Sequence, residues 1–227
     1  MSNIKIRDIR AIATAPKGVD LVVVKVETTE PGLYGLGCAT FTQRWQAVVT
    51  ALEVNLKPIL VGRSVDDIED LWESAVGSSY WRRGPVLNNA ISGVDEALWD
   101  IKGKMAGMPV YQLLGGRCRQ GAAVYRHAHG ESYADMKEEI QKYIDQGVRY
   151  VRVGCKEMDG TALAPIVKTD GAKEGAYFTN AGMPEFLSEM FRRLREDFRG
   201  QDIHFCYDVH EHMSPIEALQ TAKAVEP

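Results

Sequence analysis

The segment AAVYRHAHGESYADMKEEIQKYIDQGVRYVRVGC, residues 122–155, decides the fold, because its pattern predicts a strand, a helix and a second strand in succession. Runs of β-branched and aromatic residues predict strands over Ala122–His127 and Tyr150–Val153. A helix is predicted between them, from about Ser132 to Gln146. Strands that alternate with helices indicate βαβ units and a parallel sheet.

The same alternation continues toward the C-terminus. After a long polar stretch at 154–182, the sequence predicts a helix over Pro184–Arg199 and a buried strand over Ile203–Val209. A further helix is predicted from Pro215 onward, with Ser214 as its N-cap. Parallel units of this kind place ligand-binding groups at the carboxyl ends of their strands.

The N-terminal part has a different organisation. Ser64 is predicted to cap a helix, and a second helix is predicted to follow Pro85 and to end at Gly107. Before them, three short runs separated by Gly and Pro turns predict an antiparallel meander: IKIRDIRAIAT, DLVVVKVETTE and GLGCATF. We therefore expect an α+β domain over residues 1–120, followed by a partial (β/α) barrel over residues 121–227.

Composition restricts the partners of the protein. The chain has 227 residues and a net charge of −4, with no block of basic residues, so we expect neither nucleic acid nor a membrane surface as a partner. The four cysteines are far apart and predict no disulfide framework, and no signal peptide or membrane-spanning stretch is present. A soluble cytoplasmic protein that binds a small molecule is the expectation.

Four side chains that can carry chemistry fall at or near predicted strand ends. His127 follows the first strand of the α/β part, Arg152 lies in the second, and Asp208 and His210 end the third. Residues two apart on a strand share a face, so Asp208 and His210 are expected to point the same way. A cation, a carboxylate and imidazoles on one rim can polarise and deprotonate a substrate, whereas each residue alone has a structural explanation.

The pair His210 and His212 supports a competing interpretation. Two histidines in an H-x-H pattern at a strand end also suit a zinc ion that activates water. Such a site would need further histidine ligands on later strands, and the sequence contains none after His212.

Several longer motifs resemble the enolase superfamily, and within it the mannonate dehydratase-like acid-sugar dehydratases and their starvation-sensing relatives. The motifs are spread over most of the chain and are the following: YWRRGPV (80–86), AISGVDEALWDIKGKMAGMPVYQLLGG (90–116), VYRHAHG (124–130), VRYVRVGC (148–155) and YDVHEHMSPIEAL (207–219). The resemblance implies a capping domain over the first of the βα units of a TIM-type barrel that binds Mg²⁺.

The resemblance also implies roles for individual residues. Asp208 would be the first of three Mg²⁺ ligands, His210 the acid/base histidine, Arg152 the arginine that pairs with a tyrosine base, and His127 a residue that lines the substrate site. The implied reaction removes the α-proton of a sugar acid, forms an enediolate and eliminates water, in a homo-oligomer. A hard cation prefers the oxygen of Asp208, which leaves His210 available for proton transfer.

The sequence departs from the family in two ways. The stretch GTALAPIVKTDG holds no tyrosine where the family carries its base, and the nearest candidate is Tyr177. Three barrel strands cannot close a barrel, so the chain resembles a truncated N-terminal half, without the other metal ligands and without expected activity by itself. Two alternatives remain. One is a racemase or cycloisomerase of the same superfamily, and the other is a catalytically silent homologue that binds a sugar acid or regulates a partner.

Overall fold

The chain forms two compact units, Met1–Gln120 and Gly121–Pro227. Each unit has its own hydrophobic core, and among the described residues no buried residue is common to the two cores. The computed structural model describes residues 2–80, 82–162, 182–210 and 213–226.

An antiparallel sheet with the strand order β1–β2–β3 forms one layer of the first unit. Its strands are β1 (Ile6–Thr14), β2 (Leu21–Thr28) and β3 (Tyr34–Cys38). In β2, Val22, Val24 and Val26 are fully buried, while the residues between them face outward and are partly exposed. This alternation sets the register of the meander, as the sequence predicts.

The helices of the first unit cover the inner face of this sheet. They are α1 (Trp45–Thr50), α2 (Lys57–Leu60), α3 (Ile68–Gly77), α4 (Pro85–Ala106) and α5 (Val110–Leu113), and a π-helical segment, Ala51–Leu56, joins α1 to α2. The sequence prediction missed the helical stretch formed by α1, the π-helical segment and α2. Its signal was present, because Leu52, Leu56 and Leu60 recur at helical spacing and are fully buried.

The ends of α3 and α4 test the capping predictions. Ser64 is not the N-cap of α3, because the helix begins at Ile68 and the Ser64 hydroxyl accepts a hydrogen bond from the Asp66 backbone N–H at 3.2 Å. The end of α4 agrees with the sequence prediction, since Gly107 follows the last helical residue with φ 65. A left-handed residue at this place terminates a helix at low cost when it is glycine.

Two glycines allow α4 to lie directly on β3. A Cβ atom at Gly35 would lie 1.9 Å from the carbonyl oxygen of Ala97, and one at Gly37 would lie 2.0 Å from that of Gly93. Any side chain at these positions would therefore collide with the helix backbone. The glycines that look superficially like a phosphate loop in the sequence are packing residues of a hairpin strand.

The open edge of β3 is covered by carboxylates of α4. The backbone N–H of Leu36 donates to Asp100 at 2.9 Å, and that of Cys38 donates to Glu96 at 2.8 Å. These bonds satisfy edge groups that could otherwise pair with a strand of another chain.

The second unit is built around a parallel sheet in which β5 is central. Its elements are β4 (Arg126–Ser132), α6 (Tyr133–Asp145), β5 (Tyr150–Met158), β6 (Thr161–Ala162), α7 (Met183–Asp197), β7 (His204–Cys206) and α8 (Pro215–Val225). β4 and β7 pair with β5 in parallel, on opposite sides, and β6 pairs with the far end of β5 in antiparallel fashion. The predicted parallel arrangement of βα units is confirmed.

The strands of this sheet end at other residues than the sequence predicts. β4 begins and ends later than Ala122–His127, β5 continues past Val153 to Met158, and β7 is shorter than Ile203–Val209. The extension of β5 leads into a hairpin whose turn residues, Asp159 and Gly160, have φ values of 51 and 77. An Asp-Gly pair is a strong hairpin signal that the sequence interpretation overlooked.

Capping boxes start two helices of the second unit. Ser132 and Asp135 bond each other's backbone N–H groups at the start of α6, and Ser214 and Glu217 do so at the start of α8. The prediction of Ser214 as an N-cap is therefore confirmed. Among the helices that the structure describes, none combines the length and the apolar character needed to cross a membrane.

Candidate active site

The parallel sheet of the second unit has one apolar face and one polar face. Ala128, Val151 and Val153 are almost completely buried on the face that packs against the helices. The residues between them in sequence point the other way, and register pairs His127 with Arg152 on this second face. His127 is the second residue of β4, and not the end of the strand as the sequence predicted.

Asp208 lies just beyond β7 and is held by Arg152. Arg152 is in β5, paired with the last residue of β7, and its Nη1 donates to Asp208 Oδ2 at 2.7 Å. The side chains of Arg152 and Asp208 are 21% and 38% exposed, so the pair is partly shielded from solvent and open on one side. This contact joins β5 to the segment that follows β7.

His210 contacts the same carboxylate through both its backbone and its side chain. Its backbone N–H donates to Asp208 Oδ1 at 3.1 Å, and its Nε2 lies 3.0 Å from Asp208 Oδ2. His210 has φ 53, a left-handed conformation that is uncommon for residues other than glycine. The prediction that the two side chains lie together agrees with this geometry, but its reason was wrong, because a turn and not strand alternation brings them together.

The surroundings of Asp208 favour its ionised form. Partial burial raises the pKa of its carboxyl, but the hydrogen bond from the His210 backbone and the facing His210 and Arg152 side chains outweigh burial. The pKa of Asp208 therefore lies below its ordinary value. A carboxylate that stays ionised at neutral pH can bind a cation.

His127 belongs to a row of rings on the polar face. Its imidazole stacks on Tyr125 with a centroid distance of 5.3 Å and meets His129 edge-on at 5.6 Å. Desolvation lowers the pKa of His127, and the Arg152 cation and His129 lower it further. A neutral imidazole at pH 7 can both donate and accept hydrogen bonds from a hydroxylated ligand.

A cavity of about 570 Å³ opens on the polar face. It brings together Arg152 and Asp208, whereas His127 and His210 are not among its lining residues. The other polar side chains of its lining are His129, Glu131, Lys156 and Tyr207.

The site prediction did not include Glu131 and Lys156, because it ended β4 and β5 too early. The alternation of buried Val151, Val153 and Cys155 was the available signal.

Two residues of the sequence interpretation lie outside the described part of the chain. Tyr177, the candidate replacement for the tyrosine base, is one of them, and His212, the second histidine of the zinc interpretation, is the other. In the described residues, Arg152 has the carboxylate of Asp208 as its ion-pair partner.

The donor chemistry at Asp208 fits a single Mg²⁺ ligand. Mg²⁺ requires oxygen ligands in octahedral geometry, and Asp208 supplies a carboxylate at the mouth of the site. Within the described ranges, no group of three or more His, Cys, Asp or Glu side chains converges as a metal site would require. The described residues therefore offer fewer converging carboxylates than the three that the resemblance implies.

The first unit matches a known family. Residues 3–115 fit the family model described as Mandelate racemase / muconate lactonizing enzyme, N-terminal domain.

Sequence relatives match over the whole chain. A D-galactonate dehydratase family member of Enterocloster bolteae is 53% identical over 230 residues, which cover 100% of this chain and 57% of that protein. A D-galactonate dehydratase family member of Enterococcus gallinarum is 48% identical and is covered to 56%. The chain thus spans somewhat more than half the length of these curated relatives.

Solved structures show the same similarity. An enolase from Pantoea ananatis with bound d-gluconate and Mg has a TM-score of 0.85 and 42% identity, over 99% of this chain and 58% of that chain. An enolase from Agrobacterium radiobacter with bound Na and L-malate has a TM-score of 0.73 and 26% identity, over 98% of this chain and 53% of that chain.

Proposed function

We infer from its relatives that this chain belongs to the enolase superfamily and carries its mandelate racemase/muconate lactonizing enzyme N-terminal domain. On this premise, we propose that the protein is a Mg²⁺-dependent dehydratase of acid sugars. The similarity to D-galactonate dehydratase family members and to an enolase that holds d-gluconate and Mg supports this reaction class. The carrying observation is that one carboxylate, Asp208, contacts both the Arg152 cation and the His210 imidazole.

Each residue of this cluster has a proposed role. Asp208 would be one ligand of Mg²⁺, and the bound ion would supply positive charge that stabilises the negative charge developing on the substrate carboxylate. His210, held 3.0 Å from Asp208, would give a proton to the hydroxyl group that departs as water. His127 would contact substrate hydroxyls as a neutral imidazole.

Arg152 would act at the step that removes the proton from the carbon next to the carboxylate. Its cation would lower the pKa of a neighbouring base, and Tyr177 is the candidate for that base. In the described residues Arg152 bonds to Asp208 at 2.7 Å, so binding of a cation by Asp208 would release Arg152 from this contact. The overall change is loss of one proton and one hydroxide from adjacent carbons, which gives a 2-keto-3-deoxy acid after tautomerisation.

Turnover of a panel of five- and six-carbon sugar acids with Mg²⁺ tests this proposal, with the protein expressed from its natural full coding sequence. We expect a 2-keto-3-deoxy acid from at least one substrate and no product after chelation of the metal. Exchange of the α-proton with solvent deuterium, without loss of water, would instead support a racemase or cycloisomerase. Ligand binding without any reaction would support a silent binding or regulatory protein.

A further inference from the structure

The polar face of the second unit continues beyond the Arg152 and Asp208 pair. Register pairs Gly130 with Cys155 and Ser132 with Glu157, so Glu131 and Lys156 lie opposite each other between these pairs. Because Cys155 is buried on the helix side, Glu131 and Lys156 project from the polar face.

Glu131 and Lys156 form an ion pair at the edge of the cavity. Lys156 Nζ lies 2.7 Å from Glu131 Oε1, and both residues line the 570 Å³ cavity together with Arg152 and Asp208. Lys156 lies four positions after Arg152 in β5, which is a distance of about 13 Å between Cα atoms. The two ion pairs therefore lie at separate places along the cavity.

Gly154 leaves room for the imidazole of His129 between the two ion pairs. A Cβ atom at Gly154 would lie 3.0 Å from Nδ1 of His129, so the imidazole of His129 occupies the space above this glycine. His129 therefore lies midway along the cavity, between Arg152 at one end and Lys156 at the other. A chain of hydroxyl groups laid along β5 would meet a polar ring at its centre.

We propose that the ion pair of Glu131 and Lys156 forms the distal end of the substrate site and selects acid sugars that end in a hydroxymethyl group over those with a second carboxylate. This inference rests on the proposed function, with the reacting carboxylate at the Asp208 end. A terminal hydroxyl can donate to Glu131 and accept from Lys156, because the pair offers both an acceptor and a donor. A second carboxylate would lie beside the Glu131 carboxylate, while the charge of Lys156 is already neutralised.

The exposure of this pair makes it suitable for substitution. The side chains of Lys156 and Glu131 are 74% and 78% exposed, and ion pairs so open to water contribute little to folding. Changes in ligand preference after their substitution can therefore be separated from changes in stability.

The test compares D-gluconate with D-glucarate, which have the same carbon skeleton and differ only at the sixth carbon. Affinities are measured by titration calorimetry with Mg²⁺, in the protein expressed from its full coding sequence. Glu131→Gln is expected to improve binding of D-glucarate relative to D-gluconate by about fivefold, because it leaves the Lys156 cation unneutralised. Lys156→Met is expected to shift the ratio in the opposite direction.

Glu138→Gln is the matched control. Glu138 pairs with Lys142 at 2.8 Å on the exposed surface of α6, and its substitution makes the same change of charge outside the cavity. The affinity ratio of this variant is expected to equal that of the wild type.

The outcomes separate this inference from the proposed function. Dehydration of D-gluconate with an unchanged affinity ratio in both cavity variants would overturn the inference and leave the proposed function in place. Opposite shifts in the two variants without any dehydrated product would support the inference and overturn the proposed reaction. Failure of the wild type to bind either acid would overturn both.

Discussion

Asp208 connects the residues of the candidate active site, because its two carboxylate oxygens accept bonds from different parts of the chain. Arg152 reaches it from β5, and His210 reaches it from the turn that follows β7. Removal of the charge at this one position should therefore affect cation binding first, while the surrounding strands keep their pairing.

Asp208→Asn tests the metal assignment. We expect the variant to lose Mg²⁺ affinity and turnover, since an amide oxygen is a weaker ligand for a hard cation than a carboxylate. Calorimetric titration with Mg²⁺ and a turnover assay measure the two effects, and circular dichroism should show an unchanged fold. Retention of wild-type activity would show that Asp208 is not a metal ligand.

Asp202→Asn serves as the control for this prediction. Asp202 pairs with Arg149 on the exposed surface of the same unit, and its side chain is 65% exposed. The substitution makes the same chemical change outside the cavity, so Mg²⁺ affinity and turnover should stay at wild-type levels.

His210→Asn tests the acid/base assignment at the residue scale. We expect a loss of about 10²- to 10⁴-fold in kcat, as removal of a general acid or base usually causes, with nearly unchanged Mg²⁺ affinity. Single-turnover kinetics and calorimetry give the two values. A parallel loss of metal binding would make His210 a ligand and return support to the zinc interpretation.

The length of β5 determines how many side chains the site contains. β5 continues to Met158 because β4 and then β6 pair with it, so Lys156 projects from ordered sheet and not from a loop. A strand that ended at Val153 would leave Glu131 and Lys156 without a fixed register. The size of the polar face is thus a property of strand pairing.

Contact between α4 and β3 is the feature of the first unit most sensitive to side-chain volume. Gly37→Ala would put a methyl group 2.0 Å from the Gly93 carbonyl oxygen, and a backbone atom cannot move aside without displacing the helix. We expect the free energy of unfolding to fall by about 2 kcal/mol or more. Denaturant unfolding followed by tryptophan fluorescence measures the change, because all four tryptophans lie in this unit, at positions 45, 72, 81 and 99.

Gly77→Ala is the matched control for this substitution. A Cβ atom at Gly77, in the last turn of α3, would meet nothing within 4 Å. Its unfolding free energy should be unchanged or slightly raised, since alanine favours the helix. Equal destabilisation by the two substitutions would contradict the close-approach explanation.

At the scale of the whole molecule, hydrogen bonds and an ion pair between segments distant in sequence stabilise the first unit. Asp66 Oδ2 accepts from both the backbone N–H and the hydroxyl of Ser2, at 2.6 and 2.7 Å, and Asp66 Oδ1 lies 3.0 Å from Lys102 Nζ. The Asp66 side chain is only 11% exposed. One carboxylate therefore joins the N-terminus of the chain, the segment before α3, and α4.

The lowered pKa of Asp66 predicts that the stability of the first unit depends on pH. The hydroxyl of Ser2 and then the cation of Lys102 lower the pKa of Asp66 from 3.8 to about 2. Since the folded pKa is depressed, this stabilisation is present above pH 4 and is lost as the pH falls from 4 to 2. It amounts to about 2 kcal/mol at neutral pH. Asp66→Asn should remove this part of the pH dependence, as measured by tryptophan fluorescence during denaturant unfolding at each pH.

Asp70→Asn is a suitable comparison, because Asp70 is 69% exposed and forms an ion pair with Arg63 at the surface of the same unit. The unfolding free energy of the Asp70→Asn variant should depend on pH in the same way as that of the wild type. An Asp66→Asn curve that also coincides with the wild type between pH 4 and 2 would contradict the proposed tie.

Local patterns predicted the type and order of most elements. The alternation of Val22, Val24 and Val26 and the capping box at Ser214 act over a few residues, so the sequence displays them directly. The ends of β4, β5 and β7 were predicted wrongly, because the partner strand decides where pairing stops.

The sequence by itself determined the α+β unit and the parallel βα units, since hydrophobic periodicity is a local property, whereas the metal role of Asp208 follows from the family resemblance and stays a prediction. Only the tertiary structure decided that Arg152 bonds to Asp208, that a left-handed turn returns His210 to the same carboxylate, and that Glu131 faces Lys156. These contacts join residues from separate strands, and their distances depend on register and backbone turns that no short stretch of sequence specifies.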